Sequence, residues 1–178
     1  MISDTMIRFS KTMIVGATFA LLMAPVAAIA QPKPDLLGSF KDWAAYTYNN
    51  GKSKVCYIVS QPKDSSPKGL NRDAVFFLVT HRPGDKVRNE VNTIIGYPFR
   101  KGSTTSVTID KASAFKFFTS GDGAWAGSKD ADGKVVRAMK AGGSMVVVGR
   151  SGRGTRTTDR YSLAGVSAAM KKIDEVCQ

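Results

Sequence analysis

The chain is short of the residues that build metal and hydrolytic centres. Its 178 residues contain one histidine, His81, and two cysteines, Cys56 and Cys177. One imidazole excludes a multi-histidine metal site, and two thiols exclude a four-thiolate zinc site. No G-x-S-x-G nucleophile elbow is present, and no Gly-Lys-Ser/Thr phosphate loop. Acid is scarce too: 14 Asp and Glu stand against 26 Lys and Arg, for a net charge of +12. With 43% hydrophobic and 22% charged residues, the composition is that of a globular chain, so collagen-like and low-complexity classes are excluded. No metal and no cofactor are expected.

The one long apolar run is at the front. Arg8 and Lys11 precede an uncharged stretch, Met13 to Ile29, that closes in Ala28-Ile29-Ala30. A basic start, an apolar middle and a small-residue exit form a secretory signal, so residues 1–30 read as a leader cleaved after Ala30. An uncleaved anchor is the alternative, at the short limit for spanning a bilayer. The expected location is the periplasm or the medium, with membrane association left open. Export leads into an oxidising compartment, so Cys56 and Cys177 are expected to pair; two separate buried thiols are the alternative. The bridge closes a loop of about 120 residues, worth roughly 4–5 kcal/mol in the chain-entropy model.

The rest alternates short strands and turns. Residues 31–39 read as a flexible lead-in and 40–178 as one domain. Residues 40–48 and 53–60 are rich in aromatic and β-branched residues and flank Asn49-Asn50-Gly51-Lys52, which predicts a hairpin. Residues 61–72 read as a loop. The apolar run 74–80 predicts a central strand covered on both faces. Strands are predicted over 87–97, 103–109, 114–119, 144–148 and 155–161, with a short buried piece at 124–126 and one or two helical turns at 134–140. About eight short strands predict an antiparallel β-sandwich, jelly-roll-like or barrel-like. At the end, Leu163, Val166, Met170, Ile173 and Cys177 form the stripe of an amphipathic helix capped by Ser162. The stripe puts Cys177 on the buried side.

Charge is the strongest functional signal. Between Lys134 and Arg160, Lys134, Arg137, Lys140, Arg150, Arg153, Arg156 and Arg160 face a single acid, Asp159. Arg156 and Arg160 alternate onto one strand face with Thr158. Such a surface attracts anions, and arginine suits their planar, bidentate recognition. Arg137, Lys140, Arg150, Arg153, Arg156 and Arg160 are therefore the candidate contacts for an unknown protein, an acidic glycan or an anionic lipid surface. A merely solvated basic face is the alternative. The export signal argues against nucleic acid. Gly149 to Gly154 reads as a hairpin turn between strands rather than a phosphate loop. Trp43, Trp125 and Tyr97 are core or stacking residues. His81 follows an apolar strand with no partner that spacing can name. Nothing selects a carboxylate pair, so no catalytic residue is assigned.

Several segments resemble the invasion-associated locus B family. They are Phe40-Lys41-Asp42-Trp43, Val55-Cys56-Tyr57-Ile58, Asn71-Arg72, Ile95-Gly96-Tyr97-Pro98-Phe99, Gly123-Ala124-Trp125-Ala126, Ala138-Met139-Lys140, and Gly154-Thr155 through Thr158 to Gly165 before a helix ending in Cys177. Two departures stand out: Lys41 where glycine is expected and Val166 where phenylalanine is expected. The resemblance implies an exported bacterial envelope protein, with a role in host-cell invasion or in the envelope generally. It implies no catalytic residues. A periplasmic hydrolase and a purely structural envelope component remain the other readings.

Overall fold

The computed structural model describes residues 33–51 and 53–178; the expected leader lies outside them. Eleven strands and two helices follow in order: β1 (Asp35–Phe40), β2 (Trp43–Asn49), β3 (Lys54–Ser60), β4 (Asp64–Ser66), β5 (Phe76–Arg82), β6 (Val87–Ile94), β7 (Thr104–Ile109), β8 (Ser113–Ser120), β9 (Gly123–Trp125), α1 (Lys129–Ala141), β10 (Ser144–Arg150), β11 (Arg156–Ser162) and α2 (Val166–Val176). The strands form one antiparallel sheet in the order β1-β2-β3-β5-β6-β9-β8-β7-β10-β11-β4. The fold is thus mainly antiparallel β with a C-terminal helix, as the sequence predicts.

The sheet curls around its own inner face but does not close. Phe77 of β5 meets Trp43 of β2, Phe117 of β8 and Tyr161 of β11 at ring-centroid distances of 6.4, 6.2 and 5.8 Å. Strands far apart in the sheet therefore converge on one ring, whose burial and tilted contacts anchor the core. The two ends of the sheet are joined by other bonds. The Trp43 indole N–H donates to the Ser162 carbonyl at 3.0 Å, and the Asp42 N–H to the Ala164 carbonyl at 3.2 Å.

Several local expectations are corrected. Residues 35–39 are not lead-in: they pair with β2 as an edge strand. Residues 64–66, read as loop, pair with β11 as β4. β5 is not covered on both faces; it alternates, with Phe77, Val79 and His81 buried and the residues between them half-exposed. The helix expected at 134–140 runs from 129 to 141 because Ser128 caps it, its hydroxyl accepting the Ala131 N–H at 3.2 Å. That helix docks on β6, where the buried Asp132 carboxylate accepts the Val91 N–H at 2.9 Å. Burial pushes the Asp132 pKa up.

The terminal helix keeps its predicted stripe but not its predicted cap. Val166, Met170 and Ile173 are buried against the sheet, each worth about 1.5–3 kcal/mol. Ser162 is the last residue of β11; the cap is Gly165, at φ +97°, because the Phe40 carbonyl leaves no room for a side chain there. Lys41, next to that carbonyl, has φ +54°, a conformation glycine adopts without strain, which explains the glycine the family resemblance leads one to expect.

Candidate functional site

Cys56 and Cys177 form a disulfide, Cα to Cα 6.0 Å, between β3 and the end of α2. Beside it, His81 lies opposite Cys56 in the β3–β5 ladder and is fully buried. Its Nδ1 accepts the Asn89 N–H at 3.1 Å, which leaves Nε2 to donate to Asp174 of α2 at 3.0 Å. Arg88 also reaches Asp174, at 2.7 Å, and the Cys177 carbonyl, at 3.2 Å. Both ring nitrogens are engaged, Nδ1 by the backbone of β6 and Nε2 by the last helix. The only imidazole of the chain is therefore a structural brace, which the sequence had no means of showing.

The candidate cations do not form one patch. Arg137 and Lys140 lie on α1, which leads into the start of β10, and Lys140 lies 4.0 Å from Asp174. Arg150 ends β10, about 20 Å further along at the usual strand rise. Arg160 faces Asp64 at 4.0 Å. What remains is a compact end formed by the 151–155 turn. There, Arg150 and Arg156 are direct cross-strand partners on the outer face, and Arg153 sits at the tip. The turn is held by Ser151, whose N–H donates to the Thr155 carbonyl at 2.9 Å and whose hydroxyl accepts the Thr155 N–H at 3.1 Å. This is the expected hairpin turn.

Folding adds two cations that reading along the chain did not find. The Arg100 N–H donates to the Arg150 carbonyl at 3.0 Å, and Gly152 N–H to the Pro98 carbonyl at 3.0 Å, so the 98–102 loop is stitched to the hairpin. Gly149 permits this approach, since a side chain there would strike Ile95, Phe99 and the Tyr97 hydroxyl. Arg100, Lys101, Arg150, Arg153 and Arg156 are all exposed, and among the described residues none has an acidic partner within 4.0 Å.

A cleft of about 550 Å³ opens beside the hairpin, between residues 70–73, 96–98 and 151–157. Arg72 and Asp159 bond beneath it. Asp159 is fully buried and accepts from both guanidinium nitrogens, one at 3.0 Å, and from the Ser65 hydroxyl at 2.7 Å. The hydrogen bond to Asp159 raises the Arg72 pKa further. The Tyr97 hydroxyl bonds Thr157 at 2.6 Å, and burial pushes the phenol's pKa up. Of the three aromatic candidates, Trp43 is core, Tyr97 lines this cleft, and Trp125 is half-exposed, stacked on the exposed ring of Phe118 at 5.7 Å.

The model of the family described as invasion associated locus B (IalB) protein matches residues 43–174. The chain belongs to that family. The match spans both cysteine-bearing elements of the fold except the last turn, and the whole of the basic hairpin. The crystal structure of invasion associated protein B from Bartonella henselae superposes with a TM-score of 0.53 at 14% identity. The alignment covers 83% of this chain and 98% of that one, so the IalB fold is shared. No curated protein matches the chain. Among the described residues, no helix is long and apolar enough to cross a membrane, and no group of three or more His, Cys, Asp or Glu is placed to hold a metal.

Proposed function

We propose that this invasion-associated protein is exported to the bacterial envelope, loses residues 1–30, and works by binding an anionic partner or surface rather than by catalysis. The observation that carries the reading is the group of five exposed cations at the hairpin end, none with an acid to neutralise it. A chain that pairs most of its buried or half-buried charge internally has left these free for something outside it. The engagement of both His81 nitrogens and its complete burial further support a binding role over histidine-based hydrolysis. Arg137, Lys140 and Arg160 play a secondary part, because acids already face the latter two.

The test is the double reversal Arg150→Glu/Arg156→Glu. Binding to host cells and to anionic surfaces should weaken about tenfold, with the larger loss at low salt. Binding that is unchanged at both salt concentrations rules the basic end out. Fractionation into periplasm, membranes and medium tests the export half. An intact precursor in the cytosol with both sulfurs reduced contradicts it.

A further inference from the structure

We infer that the cleft beside the hairpin takes a short segment of an acidic glycan, with a sugar ring inside the cleft and its sulfate or carboxylate groups held at the rim. The inference deepens the proposed anion-binding role and rests on it.

Three features of the cleft favour this ligand. Its volume, about 550 Å³, lies within the range of small-molecule sites rather than of a broad docking face. Its interior offers no free cation, because Asp159 already neutralises Arg72, and the exposed carboxylate of Asp73 shares the lining. Its lining instead mixes the apolar surface of Leu70, Tyr97 and Pro98 with the neutral polar groups of Asn71, Thr155 and Thr157. A pyranose ring offers the same mixture, C–H faces bounded by a rim of hydroxyls. An anionic group placed inside would meet the Asp73 carboxylate, which repels it, and a guanidinium whose hydrogen bonds are taken up by a carboxylate and a carbonyl.

The cations are all at the edge. Arg153 stands at the lip of the cleft, and Arg150, Arg156, Arg100 and Lys101 lie beyond it. Planar guanidinium groups in that position match sulfate and carboxylate substituents that project from a sugar ring. A bilayer is a poorer fit. The turn Ser151-Gly152-Arg153-Gly154-Thr155 carries no apolar side chain, so the hairpin has nothing to insert below the headgroups.

The experiment separates the cleft from the charge. Gly152 lines the cleft, and a Cβ there meets the Pro98 carbonyl at an ordinary 3.7 Å, so Gly152→Phe adds bulk without touching a cation. Thr155→Val removes one hydroxyl at nearly constant shape. The two variants, wild type and Arg150→Glu/Arg156→Glu are titrated with a heparin-type sulfated oligosaccharide, a polyphosphate of equal charge, and phosphatidylserine vesicles. Gly152→Phe should weaken oligosaccharide binding about tenfold and Thr155→Val by a smaller factor, both leaving polyphosphate and vesicles unaffected. The double reversal should weaken all three. Oligosaccharide binding that survives both cleft variants but not the double reversal overturns the cleft and spares the basic end. Polyphosphate or vesicles bound as tightly as the oligosaccharide by wild type overturns the choice of a glycan. Binding indifferent to the double reversal overturns the anion-binding reading itself.

Discussion

The corner where α2 meets the sheet and the end where β10 turns into β11 use positive charge in opposite ways. At the corner, Arg88 and Lys140 converge on Asp174, which also accepts from His81 Nε2, and a disulfide lies alongside. At the hairpin, five cations crowd one end with no acid paired to them among the described residues, and neutral backbone and serine hydrogen bonds hold the turn. The first arrangement fixes geometry, because it ties the last helix to β5, to β6 and to α1. The second costs stability, because like charges directly opposite in an antiparallel pair repel. A cost that the fold itself does not need is best explained by something the surface meets.

The sharpest way to break this contrast is at the one internal pair near the hairpin. Asp159→Ala leaves the nearly buried Arg72 guanidinium uncompensated and should cost about 3–5 kcal/mol, read from the urea midpoint. The double replacement Arg72→Met/Asp159→Leu should recover much of that loss. If the single variant is near neutral, the pair does not organise the cleft.

At the other region, Cys177→Ser releases the bridge and should cost about 2–4 kcal/mol. The anion-binding end lies on different strands, so affinity for the sulfated oligosaccharide should stay at wild-type level below the unfolding transition. A parallel fall in affinity and stability would mean that the two regions are not independent.

The smallest effect is the most diagnostic. Arg156→Thr relieves the cross-strand repulsion with Arg150 and should raise stability by a few tenths of a kcal/mol, to about 1 at most. It should also weaken anion binding. Lower stability in that variant would show that Arg156 has a structural task, and the contrast would lose its basis.

Much of the fold was legible because its signals are local. Glycines between apolar runs mark the 149–154 turn, and the 3-4 spacing from Val166 to Cys177 marks the last helix. β4 was not legible, since Asp64-Ser65-Ser66 carries no apolar alternation and is a strand only because β11 lies beside it. β1 was missed because Gly38 and a register shift interrupt its pattern. For the site, Arg150, Arg153 and Arg156 were visible as charge density. Arg100 and Lys101 were not, because a backbone bond across 50 residues brings them there.

From the order of residues alone came the export-type leader as an expectation, the antiparallel β class, the two sulfurs that pair and the excess of cations near the end of the chain. Each depends on composition or on near-neighbour spacing. Only the folded chain decided which cations are neutralised. Asp159 counts as the lone acid among seven cations in sequence, yet it answers to Arg72, 87 positions away. Charge is additive along a chain, but its compensation depends on distance in space, and the curl of the sheet sets that distance.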